Sequence, residues 1–520
     1  MNARPIRLLA AFATVGGWTV ASRILGFLRD IAIAAALGAG PVAEAFFVAF
    51  RLPNMFRRLF AEGAFNIAFV PLFTKRLEGA GPGPARAFAE EAAAGLAAVL
   101  FALTILAEIA MPWLVLALAS GFADDPERFE LAVAFGRICF PYIVFIAMAA
   151  LFAGVLNAHG RFAAAAAAPV LLNVVLIGAL GLAWTFGIAP GWALAWGVFA
   201  GGLAQLGLLV FAVWRIGFPL APRRPRWSPD MRRLALLALP AALAGGVVQI
   251  NLVVGTQVAR YFDGAVGWLW FADRLMQLPL GVVGIAIGVV LLPELSRRLR
   301  IGDRAGARGA TNRALEFAAA LTLPAAVALL VIPDLIIRVL FERGAFSPED
   351  TAATAAALAV YALGLPSFVL QKILQPAYFA AENTRAPLNF ALVGMGVNAL
   401  AAIGLVPVAG FLAAAWGSTL SGWTMAALLW AFAPRTRADL ALEPATARRL
   451  PRQALAAVLM GAIVATLAPL AEAVLPAGLA LGLTITVGVA VYAGVSLALG
   501  AITAAELRSG LRRSRAKDAA

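Results

Sequence analysis

Apolar runs of about 20 residues, divided by short polar stretches, follow one another along the whole chain. A helix of this length crosses the hydrocarbon core of a bilayer, because each residue adds about 1.5 Å of rise. The pattern therefore predicts an all-α integral membrane protein with about fourteen transmembrane helices. The predicted spans are residues 8–37, 42–73, 90–118, 131–157, 162–187, 192–215, 231–257, 265–295, 312–332, 350–381, 386–405, 411–433, 453–471 and 477–501.

The first predicted span carries charges that do not suit a helix surrounded by lipid. At about 100° per residue, Arg23, Arg29 and Asp30 fall in one sector of the helix. Ile24 and Leu28 fall outside that sector. A charged side chain at the bilayer centre costs about 2.5–3.5 kcal/mol on insertion scales. We therefore expect the charged sector to face a water-filled cavity or charged partners.

The second predicted span repeats this pattern if its helix continues through Pro53. Four charged residues follow one another at spacings of seven, seven and four, which places them on one helix face. They are Glu44, Arg51, Arg58 and Glu62, with Arg57 beside them. Two interpretations stay open. One is a cationic binding cavity, which the central positions favour; the other is structural ion pairs with arginines that snorkel to the membrane edge.

The two halves of the chain share landmarks at an offset of about 222–225 residues. Pro141 corresponds to Pro366, and Asn173 corresponds to Asn398. Each half holds six predicted spans, an even number, so the second half enters the membrane in the same orientation as the first. We therefore expect two six-helix bundles related by a pseudo-twofold axis along the membrane normal, followed by two C-terminal helices.

The repeat also predicts domain limits and a second pair of intramembrane charges. The expected divisions are a first bundle at 1–222, a second at 223–434, two additional transmembrane helices at 435–505 and a basic cytoplasmic tail at 506–520. Asp273 and Arg274 lie in a span of the second bundle. They either bring charge to the same cavity or form a purely structural pair. Two bundles that rock about one central site would give alternating access.

Composition excludes several classes of function. The 520 residues are 62% hydrophobic and 13% charged, and no soluble core could bury that apolar share. The net charge of +14 comes from arginines in alternate loops, which places both termini in the cytoplasm without calling for a nucleic-acid partner. Cys139 and His159 are the single residues of their types, so a disulfide or a metal site is not expected. The acidic residues do not form the cluster that enzymatic acid–base chemistry needs.

Four stretches combine charge with glycine, and three of them also contain proline. They are ASRILGFLRD at 21–30, EAFFVAFRLPNMFRRLFAEGAFNIAFVPLF at 44–73, FADRLMQLPLGVVGIAIGVVLLPELS at 271–296 and LFERGAFSPEDTAATAAALAVYALGLPSFVLQKILQPAYFAAENTRAPLN at 340–389. In these stretches the chain resembles the MurJ (MviN) family of lipid II flippases. That family belongs to the multidrug/oligosaccharidyl-lipid/polysaccharide exporter superfamily.

The resemblance implies a function and a set of site residues. The family moves lipid II, the undecaprenyl-pyrophosphate-linked peptidoglycan precursor, from the cytoplasmic to the periplasmic leaflet of the bacterial inner membrane. It does so through a central cationic cavity, and the last two helices form a groove for the lipid tail. The residues that match the family's cavity are the cations Arg23, Arg29, Arg57 and Arg274 with Asp30, supported by Glu44, Arg51, Arg58, Glu62 and Asp273. Glu44 stands where an aspartate is common and Arg51 where a lysine occurs, so charge is kept and side-chain reach changes.

The alternative function is export of another polyprenyl-linked oligosaccharide or of a drug by a member of the same superfamily. Arginines suit a diphosphate, whereas a transporter of cationic drugs would present acidic residues. The expected partners are lipid II and membrane lipids, with the cell-wall synthesis machinery as a further protein partner. No cofactor is expected, and the sequence leaves open whether a sodium or chloride ion binds.

Overall fold

The computed structural model describes residues 8–59, 65–238, 262–380, 383, 385–432 and 441–501. Within these ranges the chain forms seventeen α-helices, the beginning of a further helix at 229–238 and no strand, which confirms the predicted all-α class. The chain folds as two compact units. Unit 1 is Met1–Gly267 with Arg343–Phe346, and unit 2 is Trp268–Glu342 with Ser347–Ala520.

The helices of unit 1 are α1 (Leu8–Leu37), α2 (Pro41–Leu59), α3 (Phe65–Gly79), α4 (Pro82–Leu118), α5 (Pro126–Cys139), α6 (Tyr142–Ala158), α7 (Ala163–Phe186) and α8 (Pro190–Arg215). The helices of unit 2 are α9 (Ala265–Arg300), α10 (Arg304–Val331), α11 (Pro333–Phe341), α12 (Pro348–Ala380), α13 (Arg385–Gly404), α14 (Val406–Ala409), α15 (Leu412–Ala431), α16 (Pro444–Glu472) and α17 (Ala477–Ala498). The first three residues of α9 belong to unit 1. Residues 229–238 are also helical.

Nine helical segments among the described residues are long and apolar enough to cross a bilayer. They are Pro82–Leu118, Pro126–Ala158, Ala163–Phe186, Pro190–Arg215, Arg304–Val331, Pro348–Phe379, Arg385–Gly404, Pro444–Glu472 and Ala477–Ala498. The helices α1, α2 with α3, α9 and α15 coincide with four further predicted spans, and residues 229–238 begin another. The protein is therefore a multi-pass membrane protein, and a total of about fourteen spans is consistent with these helices.

Local sequence explains where several helices begin. Proline occupies the first turn of α4, α5, α8, α11 and α16, where its missing N–H costs no hydrogen bond. Asp125 caps α5 by accepting a hydrogen bond from the Arg128 backbone N–H at 3.1 Å. Asp303 caps α10 in the same way through the Gly306 N–H at 2.8 Å. The expected continuation of α2 through Pro53 is confirmed.

The internal repeat appears in the starting points of the helices. Four helices of unit 1 begin 222 residues before a helix of unit 2. The paired starts are Pro82 and Arg304, Pro126 and Pro348, Ala163 and Arg385, and Pro190 and Leu412. The same chain path is thus used twice, once in each unit. The division after residue 222 rests on this repeat and stays a prediction, whereas those after 434 and 505 lie outside the described residues.

One hydrogen bond repeats at the same interval. In unit 1 the Ala221 backbone N–H donates to Glu90 Oε1 on α4 at 2.9 Å. In unit 2 the Glu443 backbone N–H donates to Asn312 Oδ1 on α10 at 3.0 Å. Positions 90 and 312, like positions 221 and 443, are 222 residues apart. We call each of these bonds a linker clasp. The first connects the segment after α8 to α4, and the second connects the segment before α16 to α10.

The exposed face of α4 is suited to lipid. Phe101, Ile105 and Ile109 recur every four residues along this helix and are all largely exposed. A contiguous apolar stripe of this kind marks a surface that water does not cover. Inside unit 1, by contrast, aromatic side chains fill the core, with Phe46, Phe69 and others fully buried.

Candidate functional site

Arg29 on α1 is the centre of a buried polar network in unit 1. The residue is only 8% exposed. Its Nε and Nη2 atoms donate to Asp30 Oδ1 at 3.0 and 2.7 Å, and its Nη1 atom donates to Asn173 Oδ1 on α7 at 2.8 Å. The guanidinium is therefore held by one carboxylate and one neutral amide. We call Arg29, Asp30 and Asn173 the α1–α7 network.

The sequence of α1 makes room for this network. Asn173 Nδ2 donates to the Ser22 backbone carbonyl at 3.0 Å. A Cβ atom added at Gly26 would lie 3.5 Å from the same Nδ2 atom, so the amide rests above the glycine. Ser22, Gly26 and Arg29 recur at helical spacing and form one face of α1. Small residues on this face let α7 approach closely enough to reach Arg29.

The charged sector predicted on α1 divides in the structure. Arg29 and Asp30 are buried, with Asp30 3% exposed, whereas Arg23 is exposed. Ile24 and Leu28, which were expected outside the sector, are exposed as well. The buried part of the sector meets polar partners, as expected for charges within a span.

Glu44 on α2 joins a second network, which we call the Arg128 network. Glu44 is 1% exposed, and its Oε2 atom lies 3.0 Å from Arg128 Nη1 on α5. Its Oε1 atom accepts a hydrogen bond from the Val266 backbone N–H, in the first turn of α9, at 3.1 Å. Arg128 also lies 3.2 Å from Asp125 Oδ2 and 2.9 Å from Asp263 Oδ1. One buried arginine thus forms salt bridges with three carboxylates.

The other predicted residues of this face are described less fully. Arg51 is partly buried on α2. Arg57 and Arg58 belong to the same helix, and their side chains lie outside the part of the chain that is described. Glu62 lies wholly outside the described residues.

The intramembrane pair of unit 2 lies on α9. The Arg274 guanidinium carbon is 4.4 Å from the centroid of the Trp270 ring, one turn earlier, in a cation–π contact. Gln277 Nε2 donates to Asp273 Oδ2, one turn later. Both charged side chains are partly buried. Aromatic and amide neighbours therefore stabilise these charges within the apolar helix.

Sequence reasoning did not predict four members of these networks, namely Arg128, Asp125 and Asp263 of the Arg128 network and Asn173 of the α1–α7 network. Arg128 stands in the acidic stretch GFADDPERFE, which looks like an ordinary solvated loop. Asn173 was noticed only as a landmark of the repeat. Its signal was an amide side chain in the apolar run AAPVLLNVVLIG, because a buried amide needs hydrogen-bond partners.

The chemistry of the α1–α7 network suits an anionic ligand. A guanidinium has five N–H groups, and three of them are engaged by Asp30 and Asn173. Phosphate oxygens accept charge-assisted hydrogen bonds from the N–H groups of a guanidinium, often two at once in a fork. The described residues include no group of three or more His, Cys, Asp or Glu side chains that could hold a metal ion. The assignment of individual residues to a substrate site stays a prediction.

Comparison with known proteins identifies relatives along almost the entire chain. A family model described as "Lipid II flippase MurJ" matches residues 33–484. A protein of Rhizobium meliloti (strain 1021), named probable lipid II flippase MurJ, is 47% identical over 517 residues, which cover 97% of this chain and 96% of that protein. A protein of Rhizobium tropici with the same name is 44% identical over 519 residues, or 98% and 97% of the two chains.

Solved structures show the same fold at lower identity. A structure described as "Lipid II flippase MurJ, inward closed conformation" has a TM-score of 0.78 at 24% identity and covers 93% of this chain and 97% of its own. An inward-facing multidrug resistance MATE family transporter of the MOP superfamily has a TM-score of 0.66 at 15% identity and covers 80% and 94%. The resemblance noted in the sequence is thereby confirmed, and the chain belongs to the MurJ family.

Proposed function

We propose that this protein moves lipid II from the cytoplasmic to the periplasmic leaflet of the bacterial inner membrane. The support is its place in the MurJ family, whose relatives named probable lipid II flippase share 47% and 44% of their residues with it. The activity is transport, and the protein is not an enzyme. The observation that carries the proposal within the molecule is the α1–α7 network.

The network explains how a diphosphate could be held inside the membrane. Arg29 is buried, so its charge is less screened than it would be in water. A diphosphate brings oxygens that match the guanidinium fork and compete with the single carboxylate of Asp30. Arg23, Arg57 and Arg274 are proposed to complete the cationic site, with Glu44, Arg51, Arg58, Glu62 and Asp273 as supporting charges.

Alternating access through a central cationic cavity is the proposed mode of transport. The head group follows a polar path while the lipid tail stays in an apolar groove beside the last two helices. Arginine-rich loops on alternate sides support cytoplasmic N- and C-termini. We also propose that the cell-wall synthesis machinery receives the flipped lipid. No cofactor is proposed, and a coupling sodium or chloride ion is a question for ion-replacement experiments.

The competing function is export of a drug or of a different polyprenyl-linked oligosaccharide. The fold alone permits it, because a MATE transporter has a TM-score of 0.66. Sequence identity favours the flippase, at 47% over 517 residues compared with 15% for that transporter. The buried arginine favours an anionic substrate over a cationic drug.

Depletion of the protein from its own bacterium tests the proposal. We expect labelled lipid-linked precursor to accumulate in the cytoplasmic leaflet, where a membrane-impermeant reagent in the periplasm does not reach it. Re-expression should restore access, and Arg57→Ala or Arg274→Ala variants should not. Unchanged access after depletion would contradict the flippase function.

Topology is tested separately by a reporter fused after Ala520. We expect activity from a reporter that works only in the cytoplasm and none from a reporter that works only in the periplasm. Activity of the periplasmic reporter would refute the proposed orientation.

A further inference from the structure

We propose that Asn173 is a positioning residue for Arg29, one that sets the direction of the guanidinium without touching the substrate. This inference rests on the proposed function, because it assigns Arg29 to a diphosphate. Its basis is the two-sided hydrogen bonding of the Asn173 amide, which connects α7 to two points on α1.

The amide is fixed before it reaches Arg29. Asn173 is 5% exposed, and its Nδ2 atom donates to the Ser22 carbonyl at 3.0 Å. That bond determines which end of the amide points toward Arg29, so Oδ1 is presented as the acceptor at 2.8 Å from Nη1. Gly26, between these two points on α1, offers no side chain that could push the amide away.

Because the Asn173 amide is neutral, it also leaves the positive charge of Arg29 available to attract a diphosphate. Asp30 already binds Nε and Nη2 of Arg29 and offsets its charge once. A second carboxylate at position 173 would add an anion next to the same guanidinium and oppose a negatively charged ligand. A neutral acceptor holds Nη1 in place without adding negative charge beside the guanidinium. An asparagine thus provides orientation and leaves the electrostatic attraction intact.

If the role of Asn173 were merely structural, the two variants would rank differently in ligand affinity. If Asn173 only joined α7 to α1, Asn173→Asp would be the milder change, because it keeps the volume and gains an ion pair with Arg29 that offsets the lost hydrogen bond to the Ser22 carbonyl. Asn173→Ala would then be the more harmful change, since it removes the acceptor and leaves a gap. The positioning role predicts the reverse order for ligand affinity.

Gln205 on α8 provides a matched control in the same unit. It is 1% exposed, accepts a hydrogen bond from the Tyr142 hydroxyl at 3.1 Å and donates to the Ala168 carbonyl at 2.9 Å. It is therefore a buried amide that bridges a side chain and a backbone carbonyl, but its side-chain partner is an uncharged tyrosine. Gln205→Ala should lower the melting temperature and leave ligand affinity unchanged.

The experiment measures binding of undecaprenyl diphosphate and of lipid II to the purified full-length protein in lipid nanodiscs, together with its melting temperature. We expect Asn173→Ala to weaken both ligands about tenfold, the effect of one hydrogen bond to a charged group. Asn173→Asp should weaken them further, although its melting temperature should fall no more than that of Asn173→Ala, because the ion pair with Arg29 offsets the lost bond to the Ser22 carbonyl. Equal affinity of wild type and both variants, or tighter binding by Asn173→Asp than by Asn173→Ala, would overturn the inference. If the wild-type protein binds neither ligand, the proposed function fails instead.

Discussion

The α1–α7 network and the Arg128 network contain two equally buried arginines in different surroundings. Arg29 and Arg128 are each 8% exposed. Arg29 meets one carboxylate and a neutral amide, whereas Arg128 meets the carboxylates of Glu44, Asp125 and Asp263. Among the described contacts, the Arg29 guanidinium meets one negatively charged group, and the Arg128 guanidinium meets three.

This difference separates a binding role from a structural one. A guanidinium with a single carboxylate can exchange that partner for a phosphate and remain compensated throughout. Loss of the Arg128 guanidinium would leave the buried carboxylate of Glu44 without its cation, whereas Asp125 and Asp263 are much more exposed. The exposed fraction alone does not distinguish Arg29 from Arg128, because it is the same for both. The number of carboxylates around each one distinguishes them.

The largest expected effect is loss of transport when the α1–α7 network loses its charges. Arg29→Gln combined with Asp30→Asn removes both charges of this pair, keeps the size of side chain 30 and shortens side chain 29 by its guanidinium end. We expect this double variant to reach the membrane and melt near the wild-type temperature but to fail to support growth. Arg29→Lys should restore growth only in part, because an ammonium lacks the planar fork. Normal growth of the double variant would remove Arg29 from the site.

Substitutions in the Arg128 network should lower the stability of the protein. Arg128→Ala leaves Glu44 buried without its cation, and breaking a buried ion pair from one side costs about 3–5 kcal/mol. We expect a large fall in the melting temperature of the detergent-solubilised protein. Adding Glu44→Gln should recover part of the loss, because a neutral amide no longer needs the arginine. A wild-type melting temperature for Arg128→Ala would show that this network does not stabilise the fold.

Sequence periodicity predicted the helices and placed Arg29, Asp30 and Glu44 on charged faces of α1 and α2, but it did not predict the partners of those charges. Periodicity describes which residues share a face of one helix. It contains no information on the contact between Arg29 and Asn173, which are 144 residues apart, or on the pairing of Glu44 with Arg128. Arg128 was the hardest to recognise, because the neighbouring aspartates and glutamates make its stretch look solvated. Tertiary packing, and not local composition, decides which charges are buried.

The linker clasps should produce a smaller effect that differs from both networks. Glu90→Ala removes the acceptor of the Ala221 N–H and the partner of Arg223, and one intramolecular hydrogen bond contributes about 0.5–1.5 kcal/mol to stability. We expect faster hydrogen exchange of the Ala221 amide. Asn312→Ala is the matched change in unit 2 and should speed exchange of the Glu443 amide. Unchanged exchange at both amides would contradict the role of the clasps.

The smallest changes compare the space around the two networks. A Cβ atom at Gly26 would lie at an ordinary contact distance of 3.5 Å from Asn173, so Gly26→Ala should be tolerated and gain up to about 1 kcal/mol in helix propensity. A Cβ atom at Gly267, beside Val266 of the Arg128 network, would lie 2.8 Å from Ala39 Cβ and 3.0 Å from its Cα. Gly267→Ala should therefore lower the melting temperature. A lower melting temperature for Gly26→Ala than for Gly267→Ala would show that these packing distances do not govern stability.

Transport of lipid II by the purified protein in liposomes tests the account most directly. Fluorescent lipid II is placed in one leaflet, and a membrane-impermeant quencher reports its arrival in the other. We predict that wild-type protein moves the lipid and that the Arg29→Gln, Asp30→Asn double variant, inserted in equal amount, does not. The Gln205→Ala variant should move it at the wild-type rate below its melting temperature. Equal transport by the wild-type protein and the double variant would contradict the claim that the buried Arg29 binds the diphosphate.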